Sequence, residues 1–177
     1  AAGLMRMTEW DGTNNLVDPL CGSGTFLIEA VSMLLGIASG MNRQFLFKNW
    51  PDFDSFFWDQ ELKMAKKMKP LNNKLPKIIG CEVDKMIANS ASDNVVKAGL
   101  ENYIEIINCP FQEFDLPPGL GLLICNPPYG KRIGDEDELP NLYKQLGKYC
   151  KKQASGWDLW LLNGDPRLSK YLGMKAS

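Results

Sequence analysis

The chain has 177 residues, 45% hydrophobic and 23% charged, with a net charge of −1, enough for one domain with a sizeable core. No apolar run approaches the roughly 18 residues of a membrane span, and no signal peptide is visible, so no membrane partner is expected and the expected location is cytoplasmic. Five scattered cysteines lack disulfide-framework or metal-ligand spacing, and there is no histidine, so neither metal nor imidazole chemistry is expected.

In chain order, Ala1–Met5 reads as the tail of a helix. A short apolar strand, Leu16–Asp18, then runs into Pro19-Leu20-Cys21-Gly22-Ser23-Gly24. A helical pattern follows over Thr25–Leu35, carried by Leu27, Ile28, Val31 and Leu34. The glycines permit a tight turn and close approach to a ligand, and the helix start offers free N–H groups. A phosphate-binding P-loop would need Gly-Lys-Ser/Thr, but no lysine lies between Asp18 and Met41. A dinucleotide fingerprint would need glycine three residues after Gly24, where Leu27 stands. The acidic residue opening the loop suits a cationic ligand better than a pyrophosphate.

The stretch Ser39–Pro76 is rich in aromatics: Phe45, Phe47, Trp50, Phe53, Phe56, Phe57 and Trp58. They read either as a lid or base-stacking surface or, preferably, as a seal on one edge of the core. A second strand, Ile78–Glu82, precedes a helix over Lys85–Ala98. Asp84 is its expected N-cap, and Gly99 its stop. Strands at Ile104–Asn108, Leu122–Cys125 and Trp157–Asn163, with a helix over Leu139–Gln153, complete the alternation. Strands alternating with helices predict an α/β fold, a mostly parallel sheet with helices on both faces.

The apolar run Leu122–Cys125 ends in Asn126-Pro127-Pro128-Tyr129. Neither proline can donate to a ladder, so the strand stops there and leaves a stiff loop at the C-terminal edge of the sheet. Open α/β sheets bind ligands at that edge. The Asn126 amide oxygen and the Pro127 carbonyl can together accept both hydrogens of an –NH2 group, and Tyr129 can stack on the ring that bears it.

Asp18-Pro19-Leu20-Cys21-Gly22-Ser23-Gly24-Thr25 followed by Asn126-Pro127-Pro128-Tyr129 resembles the class I, S-adenosylmethionine-dependent amino-methyltransferases. The continuation Gly130-Lys131-Arg132-Ile133-Gly134, an acidic run and Leu142-Tyr143 resembles one branch of them. That branch is the RNA methylases that usually carry a THUMP RNA-binding domain, among them bacterial enzymes methylating the guanine 2-amino group in 23S ribosomal RNA.

The resemblance implies a Rossmann-like fold. Such domains usually carry seven strands, so residues 1–177 read as an excised catalytic domain. It is cut at both ends, lacks the last strands and has no THUMP domain. It further implies S-adenosylmethionine as cofactor and methyl transfer to the exocyclic amine of a guanine in RNA. The RNA is ribosomal by preference, with transfer RNA as another candidate. An adenine-amine (N6) methyltransferase on DNA or RNA and a non-catalytic cofactor-binding domain stay open as alternatives.

By match to the family's motifs, Asn126, Pro127, Pro128 and Tyr129 form the catalytic slot. Asp18 faces the cofactor's ammonium or its water, and its other reading is a cap for the following turn. Backbone atoms of Cys21, Gly22 and Gly24 line the methionine portion, Glu82 takes the ribose hydroxyls, and Pro19, Thr25, Val83 and Asn126 also belong to the cofactor site. Many relatives bind the adenine amine with an Asp after the third strand; here Pro110 stands there, which leaves the Phe111 N–H or Gln112. Lys131 and Arg132 are candidate substrate-phosphate contacts.

The near-neutral charge argues against stand-alone electrostatic nucleic-acid binding. Either a separate RNA-binding module exists or lysines gather on one face. Candidates are Lys63, Lys66, Lys67, Lys69, Lys74 and Lys77, then Lys144, Lys148, Lys151 and Lys152, with solvated helix faces as the plainer reading.

Overall fold

A computed structural model of the chain describes residues 1–38, 40, 43–66, 75–128 and 138–175. Tyr129, Lys131 and Arg132 lie outside the described residues, as do Lys67, Lys69 and Lys74.

Five strands form one wholly parallel sheet: β1 (Asn15–Asp18), β2 (Ile78–Glu82), β3 (Glu105–Asn108), β4 (Gly121–Cys125) and β5 (Asp158–Leu161). Their order is β3-β2-β1-β4-β5. Each matches a strand predicted from sequence to within two residues at either end. The helices are α1 (Ala2–Met7), α2 (Thr25–Leu34), α3 (Ser55–Lys66), α4 (Lys85–Lys97), α5 (Glu138–Gln153) and α6 (Pro166–Ser169). Only α3 and α6 have no counterpart among the predicted elements.

Alternation along β4 divides the core between the two faces of the sheet. Leu122 and Ile124 join Leu16, Ile78 and the inner stripe of α2 (Phe26, Leu27, Ala30, Val31) on one side. Leu123 and Cys125 meet Leu146, Tyr149 and Cys150 of α5, with Phe111, on the other. β4 is buried at every position, as a central parallel strand covered on both faces has to be.

The predicted caps are present. Both Met86 N–H (2.8 Å) and Ile87 N–H (3.1 Å) donate to Asp84 Oδ1, starting α4. Gly99, at φ +71°, ends it.

The aromatic stretch corrects the preferred expectation. Its rings pack on one another: Phe47 lies 5.2 Å from Phe45, 5.3 Å from Trp58 and 5.8 Å from Phe53, centroid to centroid. None of the described residues between 43 and 65 is buried, and none joins the three core clusters. The stretch is a satellite knot beside the sheet, with Trp50, Phe56 and Phe57 at 63–72% exposure.

Candidate active site

Strand order decides where the site lies. Going out from the centre, the chain runs β1-β2-β3 to one side and β4-β5 to the other, so β1 and β4 flank the switch point. Loops leaving two such strands diverge and open a crevice at the C-terminal edge. The register pairs Leu16 with Leu122 and Val17 with Leu123, which brings Asp18 and Asn126 to that edge on neighbouring strands. The two predicted turns therefore leave the same edge of the sheet from neighbouring strands.

The turn after β1 is tied down at several points. Cys21 N–H donates to Cys81 O (2.9 Å), Gly22 N–H to Glu82 Oε2 (3.1 Å), and Gly24 N–H to Cys21 O (2.9 Å). Asn94 of α4 donates from Nδ2 to Ser23 O at 3.1 Å. Gly22 (φ +53°) and Gly24 (φ +78°) hold left-handed conformations that favour glycine. A Cβ built on Gly22 meets nothing within 4 Å, so the space beyond this backbone is open. Gly24 caps α2, leaving the first N–H groups of the helix, from Thr25 on, without backbone acceptors.

Asp18 is 1% exposed, and burial pushes its carboxyl up from 3.8 to about 8, with a smaller contribution from the Glu82 charge. Its Oδ1 accepts the Leu20 N–H at 3.1 Å, so the capping contact is present. Burial likewise pushes the Cys21 and Cys125 thiols far up, which makes them packing groups rather than nucleophiles.

At the tip of β2, Glu82 Oε1 accepts Asp84 N–H (2.9 Å) while Oε2 holds Gly22. Asn108 steadies the same tip, its Nδ2 donating to Glu82 O (2.8 Å) and Val83 O (3.0 Å). Val83 is 64% exposed, an apolar surface beside a carboxylate that still has free lone pairs. In the third loop Phe111 is buried edge-on against Tyr149, and its N–H donates to no atom among the described residues. The Gln112 amide is turned to α5, where Nε2 donates to Gln145 Oε1.

On β4 the ladder runs to the last residue before the motif, with Leu162 N–H donating to Cys125 O at 2.9 Å. Pro127 is buried and Pro128 half-buried, while Asn126 is exposed, its side chain without a hydrogen-bond partner among the described residues. The loop is thus anchored by its prolines and presents a free amide.

Sequence reasoning missed Gly80, Asn94 and Asn108. A Cβ on Gly80 would lie 2.7 Å from Leu27 Cδ1 and 2.9 Å from both Cys21 Cβ and Sγ, so only glycine lets the turn settle on β2. A cavity of about 540 Å³ opens at the opposite edge of the sheet, lined by Asn15, Lys77, Tyr103 and Glu105 among others, and contains none of the predicted catalytic or cofactor residues.

The UPF0020 family model, described as an RMKL-like methyltransferase domain, matches residues 1–177. A Synechocystis protein named "Putative RNA methyltransferase slr0064" is 38% identical over all of this chain and 46% of its own length. The ribosomal RNA large subunit methyltransferase K/L of a Marinomonas species is 38% identical over 99% of this chain and 25% of its own length. The chain thus spans half or less of the length of these relatives. The "Crystal structure of SMU.472, a putative methyltransferase complexed with SAH" superposes with a TM-score of 0.88 at 31% identity, covering 99% of this chain and 46% of that one. A Rossmann-like parallel sheet, two turns flanking its switch point and a family match over every residue place this chain in the UPF0020 family of RMKL-like methyltransferase domains.

Proposed function

We propose that the chain catalyses methyl transfer from S-adenosylmethionine to the 2-amino group of a guanine in RNA, large-subunit ribosomal RNA by preference. The observation that carries this reading is the pairing of β1 with β4, which sends the glycine turn and the Asn126 loop off one edge of the sheet from neighbouring strands. The relatives' names, a ribosomal RNA methyltransferase and a methyltransferase complexed with SAH, agree with it.

The residues present fit the cofactor. The Glu82 carboxylate has lone pairs left for two ribose hydroxyls, Val83 offers an apolar face for adenine, and the Phe111 N–H is free to meet the ring edge. Open space beyond Gly22 receives the methionine portion, and Asp18 lies at the end where its ammonium belongs. When bound, S-adenosylmethionine supplies a sulfonium methyl.

The guanine amine is a poor nucleophile because its lone pair is delocalised into the ring. Accepting one N–H at Asn126 Oδ1 and the other at Pro127 O draws that lone pair back onto nitrogen and favours the developing positive charge. The two acceptors would hold the amine hydrogens while the bound cofactor supplied the methyl and its sulfur left as a thioether, and the surplus proton would pass to water. The rest of the rate comes from alignment, which the buried Pro127 and half-buried Pro128 enforce by fixing the slot.

Radiolabelled methyl transfer to ribosomal RNA, transfer RNA and DNA, with nucleoside analysis of the products, tests the reading. N2-methylguanosine in RNA supports it. N6-methyladenine as the sole product, or cofactor binding without transfer to any of the three, overturns it.

A further inference from the structure

The charge of the molecule is not evenly spread. Residues 138–175 hold seven of the Lys and Arg against three of the Asp and Glu, a balance of +4, while the remainder holds thirteen against eighteen, a balance of −5. The surplus gathers on α5. Lys144, Lys148, Lys151 and Lys152 follow at spacings of four, three and one, on the side of the helix opposite the buried Leu139, Tyr143, Leu146 and Cys150. All four are exposed. Among the described residues the one ion pair is Arg167 with Asp165, and no described carboxylate pairs with the four lysines; Asp115 reaches the cleft only through the Gln153 amide, which donates to it at 2.8 Å. Lys144 and Lys170 both lie over the Tyr171 ring, at 5.5 and 5.0 Å, and widen its positive edge.

Beside the stripe is a shallow cleft of about 200 Å³ between α5 and the loop after β3. Lys148 and Lys152 flank it, and the amides of Gln112, Gln145 and Gln153 line it with Tyr149. Cationic ammonium groups beside amide donors and acceptors suit a phosphate next to a ribose hydroxyl. A lipid surface would call for large apolar side chains on the same face, and none of the exposed large hydrophobics belongs to α5.

We propose that the lysine face of α5, with its amide-lined cleft, is a surface that carries the backbone of the RNA on the flank of the domain, away from the Asn126 edge. The proposal rests on the RNA reading above and extends it to a second surface. Helix α5 runs back along the sheet between the parallel strands β4 and β5, and Lys144 to Lys152 span about 12 Å of it. A stacked strand places about four phosphates in that length, one for each lysine. The negative remainder of the molecule repels the backbone elsewhere and steers it to this side.

The test measures binding of an unstructured RNA of about 20 nucleotides as a function of salt. Four single-strand phosphate contacts predict a slope of log affinity against log salt near −3, and Lys148→Glu with Lys152→Glu should reduce its magnitude by about 1.4. Lys63→Glu with Lys97→Glu, on α3 and α4, makes the same change in net charge and should leave the slope intact. Lys148→Gln with Lys152→Gln repeats the experiment without charge reversal, should folding suffer. In methyl transfer the stripe variants should raise the RNA KM about tenfold and leave kcat and cofactor affinity unaltered.

An unchanged slope in both stripe variants overturns the surface, as does an equal loss in the control. Equal affinity for DNA of the same sequence removes the cleft's role in reading ribose. Binding through the stripe to phosphatidylserine vesicles, with RNA binding unaffected, overturns the RNA assignment. If the stripe variants lose RNA binding but no RNA is ever methylated, the surface stands and the proposed reaction falls. If RNA is methylated with normal KM by the stripe variants, the reaction stands and the surface falls.

Discussion

The Glu82 carboxylate accepts the Gly22 N–H at 3.1 Å, fastening the tip of β2 to the turn that follows β1. Its other oxygen accepts Asp84 N–H. One side chain therefore positions two loops before any ligand arrives. In Glu82→Gln one of these N–H groups would face an NH2 donor instead of an acceptor. The expected result is a loss of about 1–3 kcal/mol of stability. Calorimetry should also show cofactor affinity at least about tenfold weaker, as a change of ~1.4 kcal/mol would give.

Asn126 is exposed and carries no structural hydrogen bond among the described residues, so its replacement should be nearly free of folding cost. Asn126→Ala should reduce methyl transfer by a factor of about 100 or more, the usual size of losing one preorganised polar contact in a transition state. Thermal melting and cofactor affinity should stay close to the parent. A variant that keeps full turnover would remove the amide from the reaction.

Burial raises the Asp18 carboxyl from 3.8 to about 8, so the folded chain holds a proton here that the unfolded chain releases above pH 4. Between about pH 4 and 8 the native state thus binds more protons than the unfolded state, and stability falls as pH rises, by at most about 1.4 kcal/mol per unit. The resolved shifts at Asp11 and Asp165 are downward, and those of the cysteines and Tyr149 are upward, so they act outside this window. Asp18→Asn should flatten the profile between pH 5 and 8 in urea titrations without ligand. A slope identical to the parent would show that the proton resides elsewhere.

Gly147 touches the C-terminal segment so closely that an added Cβ would lie 2.1 Å from the Leu172 carbonyl oxygen. Backbone cannot yield as a flexible side chain does, so Gly147→Ala should displace residues 170–172 from α5 at a cost of about 1–3 kcal/mol. Gly80→Ala should combine a similar cost with weaker cofactor binding, because the atoms it strikes include Cys21 of the turn. Comparing melting and cofactor titration in the two variants separates a packing defect from one that also reaches the site.

What could be read from the chain alone follows from how local each signal is. β4 announced itself because a strand covered on both faces is a continuous apolar run, and two prolines mark where it ends. Asp84 and Gly99 were legible as caps because those roles depend on neighbouring backbone only. Helix α3 was not, since its aromatics fall on adjacent positions, Phe56-Phe57-Trp58, and give no helical stripe. Asn94, Asn108, Gly80 and Gly147 act on residues distant in sequence, and their spacing along the chain says nothing of those partners. Gln112 illustrates the same limit: its position suggested adenine, yet its amide is held by Gln145 on a helix 33 residues away.

Because β1 and β4 lie in the interior of the sheet, with β2 and β5 outside them, the two motif loops grow from the part of the molecule least able to open by itself. Amide protons of Val17 and Leu123, both 0% exposed, should be among the last to exchange with deuterium, released only when the whole domain melts. Fraying of the flanking strands then leaves the distance between the Gly22–Gly24 turn and Asn126 untouched. Loss of activity on heating should coincide with global denaturation rather than precede it.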